Sequence, residues 1–270
     1  MTGPRVSVLM SVYNNVSSVD ESIRSIVAQT FSDWEMILID DASTDGSAER
    51  LLRWQERDGR IRVLRNETNA GLAASLNRAL NNASGAYVAR MDGDDVAMPH
   101  RFARQAAFLD QNPDCALVSA GCVLFDEQGE WGRRFGLPRP KKRDFLWGSQ
   151  FLHPASMMRR EALLAAGGYR VSRDTLRTED YDLFMRMYAL GYHGCNLDEP
   201  LLKYFEPRRP RRVKLIERWR EAKTRHRGFK ALGLMPRGFF FVIKPLLTGL
   251  VPGRLKRKYQ EKKYAPGGGV

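Results

Sequence analysis

Val6-Ser7-Val8-Leu9-Met10-Ser11-Val12 is an apolar, β-branched run that stops at the turn cluster Tyr13-Asn14-Asn15, the signature of a buried strand meeting a loop. Helical spacing follows over residues 18–29, where Val19, Ile23, Ile26 and Val27 share one side. The alternation then repeats. Residues 35–39 form a second strand stopping at Asp40-Asp41, and Ser43-Thr44-Asp45 offers capping side chains ahead of a helix over 48–54. Residues 61–64 are a third strand, 73–80 a third helix and 86–91 a fourth strand. This βαβαβαβ rhythm predicts an α/β fold, a Rossmann-like and mostly parallel sheet flanked by helices on both faces.

In such sheets ligands gather at the carboxyl ends of the strands. Four consecutive strand ends here carry short polar side chains: Ser11 and Tyr13, Asp40 and Asp41, Asn66 and Asn69, Asp92 and Asp94. The last belongs to Asp92-Gly93-Asp94-Asp95. Three carboxylates within four residues repel one another unless a cation sits among them. Mg2+ or Mn2+ takes oxygen ligands and commonly uses one or two carboxylates, leaving positions for substrate phosphates. The chain has neither a Gly-x-x-x-x-Gly-Lys-Ser/Thr loop nor a Gly-x-Gly-x-x-Gly after its first strand, so a P-loop kinase and a dinucleotide-dependent oxidoreductase both lose support.

The stretches 6–14, Ser25-Ile26-Val27-Ala28-Gln29-Thr30-Phe31, 39–47, Asn69-Ala70-Gly71-Leu72, Arg90-Met91-Asp92-Gly93-Asp94-Asp95 and Thr178-Glu179-Asp180-Tyr181-Asp182-Leu183 together resemble family 2 glycosyltransferases of bacterial glycan biosynthesis, over about residues 5–206. The resemblance implies the GT-A fold, with a nucleotide-sugar-binding half (1–98) and an acceptor-binding half (99–206). It implies nucleotide-sugar binding by Ser11, Tyr13, Asp41, Asn69, Asp92 and Asp94, with Asp41 on the base. It assigns a Mn2+ or Mg2+ to Asp94 and Asp92, Asp94 being the more direct ligand. Asp180 matches the family's catalytic base, with Glu179 as the alternative or as a partner that tunes it. The implied reaction is a single displacement with inversion, from a nucleoside-diphosphate-sugar to a hydroxyl of a glycan or lipid-linked saccharide. His153, in His153-Pro154-Ala155-Ser156, resembles a segment lying under the donor sugar and near the metal. Where relatives often carry Arg-x-His, this chain reads Lys203-Tyr204-Phe205-Glu206-Pro207, which leaves Arg208 or Arg209 for the pyrophosphate.

The base position also follows from spacing. Leu183, Met187 and Leu190 recur at helical intervals, predicting a helix with a buried face and placing Glu179 and Asp180 at its start behind Thr178 as cap. A second acid nearby raises the pKa of such a pair towards the working range of a base. Gly167-Gly168 reads as the C-cap of a helix over 161–166, ahead of an acceptor loop at about 170–178.

Charge is unevenly placed. Of a formal net charge of +13, residues 207–263 carry +16 and residues 1–206 carry −3. Residues 207–270 are thus a basic extension, expected to be helical and amphipathic. Its Lys and Arg interleave with Trp219, Phe239-Phe240-Phe241 and Leu246-Leu247, which suits a segment lying on an anionic membrane surface. Lys244, Pro245, Gly249 and Pro252 interrupt the apolar run, so no span is expected. Three cysteines without a CxxC pair, and no secretory signal, point to the cytoplasm and the inner face of the cell membrane. Two rivals fit less well. A nucleic-acid binder would explain the basic tail but not the acidic cluster, and no nucleic acid is expected as a partner. A sugar-nucleotide nucleotidyltransferase would show a Gly-rich basic loop where Tyr13-Asn14-Asn15-Val16 stands.

Overall fold

The computed structural model describes residues 3–208, 213–248 and 263–264. Strands β1 (Val6–Val12), β2 (Trp34–Asp40), β3 (Ile61–Arg65) and β4 (Tyr87–Arg90) run parallel, joined by α1 (Val19–Val27), α2 (Ser47–Arg57) and α3 (Leu72–Asn81). The chain continues through β5 (Val96–Ala97), α4 (Arg101–Gln111), β6 (Cys115–Asp126), β7 (Gly129–Arg134), β8 (Met157–Arg159), α5 (Arg160–Ala165), α6 (Glu179–Ala189) and β9 (His193–Phe205). Helices α7 (Leu215–Ala231) and α8 (Phe239–Leu247) close the described chain. All nine strands form one sheet in the order β3-β2-β1-β4-β8-β6-β9-β5, with β7 added to β6.

The first four strands are apolar because both their faces are covered. Val6, Val8, Met10 and Val12 of β1 pack with α1, α2 and α4 through Ile23, Leu51 and Phe102, while Leu9 points to the opposite face with Leu76 of α3, Leu163 of α5 and Phe184 of α6. β8 breaks the parallel order, pairing antiparallel with both β4 and β6, and β7 and β5 lie antiparallel to β6 and β9. β8 spans three residues, too few to announce a strand direction in sequence.

Local details differ from expectation. The cap position of α2 is Gly46 in the left-handed region (φ 91°), so of the polar triad before it only Asp45 reaches a helix N–H, that of Ser47, and the triad also binds the loop after β1. Asp45 accepts the Ser47 N–H (2.9 Å) and the Val16 N–H (3.0 Å), and the Ser43 hydroxyl accepts the Asn14 N–H (3.1 Å). These bonds stitch the loop after β1 to the loop after β2. Thr178 does not cap α6 with its side chain; its hydroxyl meets that of Thr224 on α7 at 2.9 Å. Leu183 and Met187 are buried as expected, but Leu190 stands at the helix end, 58% exposed.

The basic extension begins with helices packed on the domain. Phe229 and Ala222 of α7 join the core cluster around α6, and Val242 of α8 joins them. Leu215, Ile216, Trp219, Phe239, Phe240 and Leu247 remain exposed. No helix among the described residues is long and apolar enough to cross a membrane. Arg209, Arg211, Arg212 and residues 249–262 of the tail reading lie outside the described residues.

The double glycine closes α5 as the C-cap reading expects: Gly167 N–H donates to Leu164 O (2.8 Å) and Gly168 N–H to Leu163 O (3.0 Å), at φ values of 76° and 62°. A Cβ on Gly168 would stand 2.6 Å from Asn77 Oδ1, the atom that accepts the Tyr169 N–H. Gly168→Ala therefore combines a left-handed penalty with a clash, and should destabilise the protein by about 2–4 kcal/mol. Chemical denaturation measures it, and a loss below about 1 kcal/mol would show that the cap relaxes freely.

Candidate active site

Parallel pairing brings the carboxyl ends of β1 to β4 to one edge. Val12 lies level with Asp40, Asp40 with Arg65, and Met91 N–H reaches back to Leu9 O (3.1 Å). Ser11 and Tyr13 end β1, Tyr13 being 52% exposed. Asn14 and Ala42, directly after β1 and β2, hold positive φ of 52° and 63°. Strained backbone of this kind persists where surrounding bonds over-determine it, and the Ser43 and Asp45 bonds above do so.

Asp41 is buried, and its carboxylate is already engaged. It accepts Asn66 Nδ2 (2.6 Å), the Ala70 N–H (2.9 Å) and the Gly71 N–H (2.9 Å). Asp41 thus folds the loop over 66–71 onto the sheet edge and sets the entry of α3. Asn69 sits exposed at the apex of that loop. Asn66, noticed in sequence only as a polar strand end, is the residue that couples this loop to Asp41 and to Ser75 Oγ (2.9 Å).

The acidic turn is held by α1 and β9. Ser18 Oγ donates to Gly93 O (3.0 Å) and Ser22 Oγ to Asp95 O (2.6 Å). Gly93 packs so close that a Cβ would lie 2.8 Å from Asn15 Nδ2. One ligand atom from each of Asp92, Asp94 and Asp95 falls within 4.8 Å of the others. Asp95 accepts the Phe205 N–H (2.9 Å) with one oxygen, while its other oxygen is buried without a hydrogen-bond partner among the described residues. Burial, then the charge of Asp92, pushes Asp94 up to about 6, and Asp95 is raised by the same causes. Carboxylates so placed fit a hard divalent cation, which would relieve their repulsion and take up the orphaned oxygen.

Arg90 lies beneath this turn, 2% exposed, ion-paired with Asp92. Arg101 lies beside it and donates to Arg90 O (2.7 Å) and Gln105 Oε1 (3.1 Å); burial pushes its pKa down to about 9. Neither arginine was singled out in sequence, although a charge closing the otherwise apolar β4 was the available signal. Asp92 is paired with Arg90, whereas neither Asp94 nor Asp95 forms an ion pair among the described residues. His153 is buried, with Nε2 2.8 Å from the Tyr169 hydroxyl, and burial plus the charge of Arg90 holds it neutral. It lies outside the clustered carboxylates. Arg208 is paired with Asp126 at the end of β6 (3.3 Å) and donates to Gln128 Oε1 (2.9 Å).

Glu179 and Asp180 open α6, and the charge of Arg90 acts on both. Burial, then repulsion from Asp180, pushes Glu179 up to about 7; burial raises Asp180 too, against the hydrogen bond from the Tyr181 N–H. Glu179 lines a cavity of about 650 Å3 between the start of α3 (Gly71, Leu72) and the loop after Tyr169 (Ser172, Arg173, Leu176). Glu179, pushed up to about 7 at the cavity wall, and Asp180, raised beside it, are groups of the kind that remove a proton from a bound hydroxyl.

Comparison with known proteins identifies the family and the fold. The family profile described as "Glycosyl transferase family 2" matches residues 7–166. The Bacillus subtilis (strain 168) protein EpsE, named as a glycosyltransferase, is 37% identical over 264 residues, 97% of this chain and 95% of its own. The Escherichia coli O-antigen biosynthesis glycosyltransferase WbnJ is 33% identical over 204 residues, 74% of this chain and 78% of its own. Among solved structures, S. aureus TarS residues 1–349 in complex with UDP-GlcNAc superposes with a TM-score of 0.69 at 17% identity, covering 97% of this chain and 82% of that one. The mannosyltransferase PcManGT of Pyrobaculum calidifontis, in complex with GDP-Man and Mn2+, gives 0.62 at 22% identity, covering 99% and 76%. The fold is thus the GT-A fold.

The raised carboxyls make stability depend on pH. Each binds its proton more tightly folded than unfolded, so the stability of the metal-free protein should fall as pH rises from about 4 through 7. Asp94→Asn should recover about 1–2 kcal/mol at pH 7.5, after allowance for solvent screening, and should remove the stabilisation that Mn2+ gives the parent protein. Thermal melts across pH, with and without Mn2+, check this; a melting temperature flat from pH 4.5 to 7.5 in metal-free protein would refute it.

Proposed function

The chain belongs to glycosyl transferase family 2, and from that premise we propose that it transfers a sugar, with inversion, from a nucleoside-diphosphate-sugar to a hydroxyl of a glycan or lipid-linked saccharide. The observation that carries this reading is the three-carboxylate cluster at the edge where four strands end. Asp94, with Asp92 behind it, would hold Mn2+ or Mg2+. That cation, when bound, supplies positive charge to the departing diphosphate.

The remaining roles fall to side chains of this chain. Ser11 and the exposed ring of Tyr13 flank the nucleotide at the end of β1, the ring offering a face for stacking. Asp41 shapes the neighbouring wall, fixing the loop that presents Asn69. Asp180 takes the proton of the acceptor hydroxyl. The hydroxyl oxygen then attacks the anomeric carbon from the face opposite the diphosphate, whose bond to that carbon breaks with its electrons leaving on the diphosphate oxygen. Burial keeps the affinity of the base for a proton high, and Glu179 stands beside it. His153 supports the floor through Tyr169.

The basic extension is the membrane-facing element in this reading. Trp219, Leu215, Phe239 and Phe240 stand exposed among Lys214, Arg218, Arg220 and Arg237, the mixture that lies on an anionic bilayer surface. A peripheral position on the cytoplasmic face would bring the site to lipid-linked acceptors.

Asp94→Ala and Asp180→Asn should each lower transfer by about 10²–10⁴-fold. Only Asp94→Ala should weaken nucleoside diphosphate binding in Mn2+ by calorimetry, and unchanged affinity there sinks the metal assignment. Removing residues after 236 should release the protein from anionic vesicles; equal co-sedimentation of full and shortened chains would refute the membrane role.

A further inference from the structure

The segment that delivers the base is not held by the domain alone. Between Tyr169 and α6 the chain makes a tight 3-10 turn at Arg173–Thr175 and then passes through Arg177 with φ 68°, a left-handed conformation costly for a long side chain. Three attachments fix this segment to α7. Asp174 is paired with Lys223 (3.0 Å) and Arg227 (3.8 Å). Arg177 is paired with Glu217 (3.2 Å). Thr224, fully buried, donates to the Asp174 carbonyl (3.2 Å) and meets the Thr178 hydroxyl at 2.9 Å. Thr178 immediately precedes Glu179 and Asp180.

The same helix reaches the first turn of α6 from outside. Arg227 approaches Asp182 (3.7 Å), which Arg170 (3.1 Å) and Arg186 (2.7 Å) also grip. Thr175, at the centre of the turn, is buried, and its hydroxyl donates to Arg170 O (2.8 Å). The segment is thus bonded to α7, while Ser172, Arg173, Leu176 and Glu179, with Thr175 and Arg177, also line the cavity open to a ligand.

We propose that α7 is a structural part of the acceptor site, and that Thr224 is a positioning residue that sets Asp180 through Thr178 and the Asp174 turn. The inference rests on Asp180 being the base. A group that misplaces a base by a fraction of an ångström slows the chemical step while leaving the donor's own contacts alone, because the donor residues stand on the four strand ends and none touches α7. The helix that begins the basic extension then has two duties, and whatever surface the extension engages is linked mechanically to the loop that receives the acceptor.

Thr224→Val keeps the volume of the side chain and deletes both hydroxyl bonds. It should lower kcat by roughly 10–100-fold. The KM for the nucleotide-sugar and the affinity for nucleoside diphosphate in Mn2+ should stay within about twofold, and Thr224→Ser should restore kcat. Assays run well below the melting temperature of each variant separate this from a loss of folded protein. Asp174→Asn, a surface change, tests the same strut should Thr224→Val fail to fold; it should lower kcat about two- to fivefold with donor KM unchanged. Asp180→Asn is measured in parallel. If it is inert while Thr224→Val and Asp174→Asn match the parent enzyme, the positioning role is overturned and the base assignment stands. If Asp180→Asn transfers at full rate, the base assignment falls and the positioning role falls with it.

Discussion

The buried Arg90–Asp92 ion pair is the constraint on which the rest of the site depends. Removing a guanidinium from water costs several kcal/mol, offset only by close carboxylates and good geometry. Arg90 closes β4, where backbone pairing with β1 and β8 leaves it no route to solvent. Its charge acts on the acidic turn above it and on Glu179, Asp180 and His153. Without it, the carboxyl groups near this edge would lose the counter-charge that acts on Asp92, Asp94, Asp95, Glu179 and Asp180 alike, and would take up protons more readily. Arg90 pairs with Asp92 and forms no ion pair with Asp94 or Asp95. In the proposed reading, the ordering of roles within Asp92-Gly93-Asp94-Asp95 is set from below the turn, by a residue two positions upstream.

The fold was legible because the physics that decides it is periodic. β1 and β2 are buried on both faces, so their sequences are continuously apolar, and α1 shows its stripe at Val19, Ile23 and Ile26. The second half was less so. β8 contributes three residues to the sheet, and β6 and β9 run 12 and 13 residues with interruptions in register, none of which leaves a clean alternation. Leu190 fits the helical spacing of α6 yet is exposed, because the helix ends there and no element among the described residues covers its tip.

For the candidate site, sequence identified residue types and left their partners hidden. Asp41 reads as a polar strand end, but its three hydrogen bonds come from residues 25 to 30 positions away. Thr178 reads as a helix cap, and its hydroxyl is instead taken by Thr224, 46 residues on. Side-chain hydrogen bonds across such separations depend on loop conformation and helix packing, which no local pattern encodes. Family resemblance located Asp180; it could not show that the loop before it is bound to the basic extension.

The start of α6 shows how one short stretch produces groups of different character. Glu179, Asp180 and Asp182 all lie in its first turn, where the helix dipole favours any anion equally. Asp182 faces Arg170, Arg186 and Arg227 and is spent on holding the helix in place. Among the described residues no cation pairs with Glu179 or Asp180, so burial raises both, and the charge of Asp180 raises Glu179 further. Separation of neighbouring acids by environment is what acid–base chemistry requires. Here the separation follows from the helix period. A step of two residues, about 200°, turns Asp182 away from Asp180 and into the arginines packed behind α6. Moving the acids by two positions along the helix would turn the proposed base into the arginines that hold Asp182.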